Sequence, residues 1–243
     1  MQLTVFGHWG GYPLKNDGTS SYLLEEEGFK LLIDVGASAV SIMQNYLDPA
    51  DLDAVILSHY HPDHVADVGI LQHIRLLSNQ ENRPPILPIY AHNEDERGFS
   101  YLNMKDVTEA YVYQEEDILE VGPFSISFLR TIHPVPCFAM RFSANGKSVV
   151  YTADSAYQES FVAFAERADF LFADTNFFKE MAGKSRVHMA SIEVGRLAKQ
   201  ASVKKLMLTH LPQNGSLQQL KTEAAAEFNG EILLAEKGLS ITI

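Results

Sequence analysis

The segment Ser58-His59-Tyr60-His61-Pro62-Asp63-His64 places four ligand-capable side chains within six positions, directly after an apolar run. Imidazole nitrogen and carboxylate oxygen suit zinc and its first-row neighbours. The chain has nine histidines in all, so three of them beside an aspartate in one hexapeptide is a far denser cluster than a solvated loop gathers by chance. His59 and His61 are near enough to chelate one ion, while Asp63 and His64 begin a helix and can turn toward a second. Neither ion is complete with these four. Further donors stand where other apolar runs end: His133 beyond 124–129, Asp154 beyond Val149-Val150-Tyr151, and His210 beyond Leu206-Met207-Leu208. A carboxylate can bridge two cations and a neutral imidazole cannot, which makes Asp154 the expected bridge. Two dications sharing a hydroxide would lower the pKa of that water toward neutrality and clamp the attacked oxygen, so hydrolysis needs no nucleophilic side chain. Asp63 could then hold the attacking water or take its proton, and His188 could stabilise or protonate the departing group.

These side chains need strand ends and helix starts to hold them. Alternating and apolar runs predict strands over 3–6, 21–25 and 29–33, a helix over about 40–47 and a buried strand over 54–57. Pro62 beside Asp63 suits the first turn of a helix running to about Leu77, where proline is tolerated and an acid meets the positive end of the dipole. The second half predicts strands over 124–129, 138–142 and 148–152, the last two joined by an Asn145-Gly146 hairpin turn. Helices over 158–166, 191–200 and 217–227 alternate there with strands over 170–173, 206–208 and 232–234. Val55-Ile56-Leu57-Ser58-His59 is echoed by Leu206-Met207-Leu208-Thr209-His210, each an apolar strand ending in a hydroxyl and a histidine. The pattern fits two mixed sheets with helices outside. Asp34, ending another apolar strand, is placed to orient a metal-binding histidine through a hydrogen bond, whereas His8, His73 and His92 read as structural or surface residues and Cys137 as a packing residue.

No linker or low-complexity tract divides the chain, so residues 1–243 read as a single domain. The composition is 46% hydrophobic and 21% charged, and no apolar run approaches the roughly 20 residues of a membrane span. The N-terminal residues lack the pattern of a secretory signal, and the single cysteine can close no intramolecular disulfide, which together point to the cytoplasm. The formal net charge of −12 opposes non-specific binding to long nucleic acid. A small anion in a pocket dominated by two dications remains compatible with it.

The hexapeptide, followed in order by His133, Asp154 and His210, resembles the metallo-β-lactamase superfamily, and the likeness runs from Leu3 to the final strand. It implies an α+β fold, an αββα sandwich of two mixed sheets with outer helices. It also implies two Zn2+, replaceable by Mn2+, with His59, His61 and His133 on one, Asp63, His64 and His210 on the other, and Asp154 bridging. Gly7-His8-Trp9-Gly10-Gly11, Leu32-Ile33-Asp34-Val35-Gly36, and His188-Met189-Ala190-Ser191 further resemble ribonuclease Z and related phosphodiesterases. That branch implies hydrolysis of RNA 3′ ends, short oligonucleotides or cyclic nucleotides, and a homodimer.

Two features depart from the transfer-RNA enzymes. Those enzymes usually insert a substrate-gripping arm, in some of them between the third histidine and the bridging aspartate, where this chain has only the interval 134–153. They also carry His-Glu-Ala-Thr where this chain reads Ala173-Asp174-Thr175-Asn176. Lys179, Lys184 and Arg186 against Glu180 give the segment before His188 a local charge of +2, and Lys184 or Arg186 is the expected grip on a substrate phosphate. Thioester and lactone hydrolases share the ligand set and form the alternative reading. A β-lactamase, a flavodiiron-type oxidoreductase and a non-catalytic scaffold fit less well, the scaffold because all seven ligands are retained.

Overall fold

The computed structural model describes residues 1–78 and 84–243. In chain order the elements are β1 (Gln2–Gly7), β2 (Ser21–Glu26), β3 (Phe29–Ile33), α1 (Ala39–Met43), β4 (Ala54–Ile56), α2 (Pro62–Val65), α3 (Val68–Leu77), β5 (Leu87–Ala91), α4 (Glu96–Tyr101) and β6 (Thr108–Val112). There follow β7 (Ile118–Val121), β8 (Phe124–Arg130), β9 (Phe138–Ala144), β10 (Lys147–Tyr151), α5 (Ser160–Phe164), β11 (Phe170–Asp174), α6 (Ser191–Gln200), β12 (Lys205–Thr209), α7 (Leu217–Ala225), β13 (Glu231–Leu234) and β14 (Ser240–Thr242). They form two compact units, Met1–Gln114 with Glu236–Thr242, and Glu115–Ala235. No helix among the described residues is long and apolar enough to cross a membrane.

The first unit holds a sheet in the order β14-β1-β2-β3-β4-β5-β6. Pairing is antiparallel from β14 to β3 and parallel from β3 to β6. The central strand β4 is buried at every position, as the uninterrupted apolar run Ala-Val-Ile requires of a parallel strand covered on both faces. Helix α3 buries Val68, Leu71, Gln72 and Arg75, a stripe at helical spacing. Val68 and Leu71 join Leu32, Val55, Leu57 and Ile89 in the core. Arg75 is tolerated inside because its guanidinium donates to the carbonyls of Pro49, Ala50, Leu52 and Pro85. The single helix expected from Pro62 to Leu77 is two. Asp67 interrupts it: its carboxylate accepts from Val40 N at 3.1 Å and its own amide donates to Val35 O at 3.1 Å. An aspartate that bonds backbone outside the helix offers the chain a competing conformation.

The second unit holds a sheet in the order β13-β12-β11-β10-β9-β8-β7, antiparallel from β7 to β10 and parallel from β10 to β13. Ala144 pairs with Lys147 across the β9–β10 turn, where Asn145 and Gly146 both have positive φ, 51° and 71°. That is the two-residue hairpin the Asn-Gly pair favours. Both sheets thus share one pairing signature, and by position in the sheet β12 corresponds to β5. The histidine that matches His210 is therefore His92, one residue past β5, and the echo between the β4 and β12 segments joins strands that are not equivalent.

Candidate metal centre

In the first unit, the carboxyl ends of β3 and β4 lie side by side and deliver Asp34, Ser58 and His59 to one sheet edge. Asp34 is fully buried and accepts three hydrogen bonds, from Ser58 N at 2.7 Å, Ser58 Oγ at 2.8 Å and His64 Nδ1 at 2.8 Å. A carboxylate accepts only, so His64 carries its proton on Nδ1 and its lone pair on Nε2. Ser58 Oγ donates its one O–H to Asp34 and therefore accepts from His59 Nδ1 at 3.0 Å, which leaves the His59 lone pair on Nε2 as well. His59 Nε2 lies 3.1 Å from His61 Nδ1. Two nitrogens on one tetrahedral ion with bonds of about 2.0–2.1 Å stand about 3.3 Å apart, so this pair is spaced as two donors to one ion would be, His61 offering Nδ1. Asp63 Oδ2 lies 3.6 Å from His64 Nε2 and accepts from Gly11 N at 2.6 Å, which ties the Gly10-Gly11 loop to the site. Gly36 sits directly beneath: a Cβ there would fall 2.2 Å from Asp63 O and 2.3 Å from Thr19 Oγ1.

In the second unit, the ends of β10, β11 and β12 bring together Asp154, Asp174 and His210. His210 Nε2 is 3.2 Å from Asp154 Oδ2, His133 Nε2 is 3.9 Å and His188 Nδ1 is 4.0 Å from the same oxygen. His133 Nδ1 donates to Val187 O at 3.1 Å, and a carbonyl fixes the tautomer in the same way, with the lone pair on Nε2. His210 Nδ1 faces Asp174 Oδ1 at 3.4 Å. Asp174 is fully buried and its other oxygen accepts from His188 Nδ1 at 2.7 Å and Ser155 N at 3.0 Å. Burial alone would lower the pKa of His188, but the charge and hydrogen bond of Asp174 outweigh it, and the net shift is upward. Asp154, Asp174, His188 and His210 offer ligand atoms all within 4.8 Å of one another.

Each unit thus presents a His/Asp cluster with the donor chemistry for a divalent metal, and every expected ligand takes part in one of them. Asp34 hydrogen-bonds His64 directly and reaches His59 through Ser58. Asp174 was visible in the sequence only as a departure from His-Glu-Ala-Thr. The signal that could have found it is its place at the end of an apolar strand, the place that singled out Asp34. Lys184 and Arg186 are exposed: the Lys184 ammonium donates to Glu180 O at 2.7 Å, and among the described residues no hydrogen bond or ion pair holds Arg186. His92 is buried, its Nδ1 accepting from Glu94 N and its ring packed edge-on against Tyr60. His73 is exposed, and His8 is buried.

A family model described as a β-lactamase superfamily domain matches residues 30–211. The chain belongs to the metallo-β-lactamase superfamily. It is 44% identical over 239 residues to the probable metallo-hydrolase YhfI of Bacillus subtilis, covering 98% of each chain. The crystal structure of YhfI, a metallo-β-lactamase fold protein, superposes with a TM-score of 0.96, covering 99% of this chain and 98% of that one. A ribonuclease Z of Methanosarcina acetivorans is 24% identical over 269 residues, 87% of each chain. Human short-form tRNase Z, at 20% identity and a TM-score of 0.77 over 100% of this chain and 99% of that one, shares the fold. The fold class is that of the superfamily, α+β with two mixed sheets and helices.

Proposed function

We propose that this chain is a metal-dependent hydrolase whose substrates are small phosphodiesters: RNA 3′ ends, short oligonucleotides or cyclic nucleotides. The observation that carries the reading is the set of tautomers imposed on His59, His64 and His133 by Asp34, Ser58 and Val187, which turns each Nε2 lone pair toward a ligand position. In this reading His59, His61 and His133 hold one Zn2+, Asp63, His64 and His210 hold a second, and Asp154 is shared. Mn2+ suits the same oxygen and nitrogen donors. Two such ions, when bound, supply Lewis acidity and lower the pKa of water toward neutrality.

The remaining work falls to the protein. Asp63, with one oxygen already fixed by Gly11 N, orients the attacking water or accepts its proton. His188, held by Asp174 and 18% exposed, passes a proton to the departing oxygen; its buried carboxylate partner keeps the imidazole oriented. Arg186, exposed two residues before His188, meets a phosphate oxygen with its planar fork. An uncompensated cation at this place favours a phosphodiester over the neutral acyl groups of thioesters and lactones. The experiment is a panel on zinc-loaded and manganese-loaded protein: bis-p-nitrophenyl phosphate, cyclic nucleotides, precursor transfer RNA, thioesters and lactones. Selective turnover of the small phosphodiesters supports the proposal, and selective turnover of a thioester or lactone overturns it.

A further inference from the structure

Behind the segment that carries Lys184, Arg186 and His188 lie two carboxylates bound to its main chain. Glu193 on α6, 7% exposed, accepts from Gly183 N at 2.8 Å with Oε1 and from Ala190 N at 2.8 Å with Oε2. Glu223 on α7, also 7% exposed, accepts from Lys179 N at 2.9 Å and from Ser191 Oγ with one oxygen, and from Gln219 Nε2 at 2.7 Å with the other. The bond to Ala190 N is an ordinary helix cap. The bond to Gly183 N is not, since it reaches ten residues back and closes the segment 183–190 into a loop pinned at both ends by one side chain. Gly183 has φ +71° with open space around it, in a turn that Lys184 N closes on Met181 O at 3.0 Å; the Glu193 bond ties that local turn to α6.

Charge makes the arrangement informative. In a chain of net charge −12, the two buried carboxylates bonded to the main chain of this basic segment turn their lone pairs to backbone N–H groups, Ser191 and Gln219 rather than to Lys184 or Arg186. For Glu223, burial would raise the carboxyl pKa, but the bonds from Ser191, Gln219 and Lys179 N outweigh it and the net shift is downward. A charged acceptor on a backbone donor is roughly twice as strong as a neutral pair. The loop is thereby fixed while its cations stay exposed.

We propose that Glu193 and Glu223 are positioning residues that clasp the 183–190 loop in the conformation in which Arg186 meets an anionic substrate. The affinity role rests on the phosphodiester reading above; the clasp itself does not. Glu193→Gln keeps the shape and one acceptor but turns an amide NH2 against the second backbone N–H, so it breaks one pin. In zinc-loaded protein, trypsin should cut after Lys184 or Arg186 about tenfold faster in this variant, because cleavage tracks the open population. The Tm should fall by about 3–6 °C, because weakening the closed loop also lowers the stability of the native state. KM for bis-p-nitrophenyl phosphate should rise about tenfold, the equivalent of about 1.4 kcal/mol, with kcat within about twofold because Asp174 holds His188 independently. The same substitution in an Arg186→Ala background should leave KM where Arg186→Ala alone puts it. Tryptic rates equal to wild type in both Glu193→Gln and Glu223→Gln overturn the clasp. A full KM penalty persisting without Arg186 overturns its action through that residue. If wild type turns over no phosphodiester, the functional reading fails, and proteolysis still decides the clasp.

Discussion

What a histidine can bind is decided by what its other nitrogen touches. His59, His64 and His133 each have Nδ1 engaged by an acceptor in their own unit, and such partners typically account for 10–100-fold in metal affinity or activity. Asp174 is the most informative case because it faces two histidines with different proposed duties, His210 as a ligand and His188 as a proton carrier. Asp174→Asn should therefore lower both zinc retention and kcat, each by about tenfold or more. His188→Gln should lower kcat with zinc content unchanged, as metal analysis and steady-state rates on the same preparations will show. Asp154→Ala, which removes the only proposed shared ligand, should reduce saturated metal content from two ions per chain, and unchanged stoichiometry would remove Asp154 from the bridging role. The residues of the two His/Asp clusters stood out in the sequence because donor types clustered after apolar runs. Asp174 and Ser58 were not legible as orienting groups, because a hydrogen bond between residues 14 or 24 positions apart leaves no local pattern.

Strand ends do the placing. At three of them the chain turns through left-handed backbone without glycine: Asp34 at φ 56°, Ala153 at φ 49° and His210 at φ 52°. Such conformations cost of order 1–3 kcal/mol and persist only where surroundings impose them; here they aim a carboxylate, the residue before Asp154, and an imidazole. Helices act more remotely. Glu193 and Glu223 keep their relation because α6 and α7 meet at Gly195, where a Cβ would lie 2.3 Å from Ala224 O and 2.9 Å from Ala224 Cα. Alanine normally improves a helix interior by about 1 kcal/mol over glycine. In Gly195→Ala the obstacle is backbone, so the helices must separate, at an overpacking cost of about 1–3 kcal/mol. The expected net result is a lower urea midpoint at unchanged m-value, accompanied by faster tryptic cutting at Lys184 or Arg186; a higher midpoint would show that the helix gain wins. Periodicity foretold most strands and the helices α6 and α7. It could not foretell the break at Asp67, whose partners Val35 and Val40 lie about thirty residues away.

At the scale of the molecule, the two units repeat one sheet plan, three antiparallel pairings followed by three parallel ones, and the sequence betrayed it only as a five-residue echo attached to the wrong strand pair. The interval between His133 and Asp154 is filled by β9, a tight turn and β10, which leaves no room in that interval for an inserted arm. With a net charge of −12, precursor transfer RNA should be a poor substrate beside bis-p-nitrophenyl phosphate at physiological salt, a comparison the substrate panel makes directly. Acid should weaken the whole fold for a reason separate from metal loss. His8 is 4% exposed, and among the described residues its Nδ1 has no hydrogen-bond partner. Burial pushes its pKa down from 6.5 to about 4, with Asp17 opposing and Lys237 adding to the shift. Between those values the unfolded chain holds a proton on His8 that the folded chain lacks, so stability rises with pH there. The contribution is fully present above about pH 6.5 and is lost as pH falls through about 4, up to about 3 kcal/mol. Asp169 and Glu223, both shifted down, add losses of the same sign at still lower pH. Acid also displaces metal from oxygen and nitrogen donors of the kind proposed here, so the wild-type curve alone is composite. The difference between wild type and His8→Gln isolates the effect: wild type should lose about 3 kcal/mol relative to the variant between pH 6.5 and 4 in urea titrations, and parallel acid limbs would show that His8 is protonated in the folded state without cost.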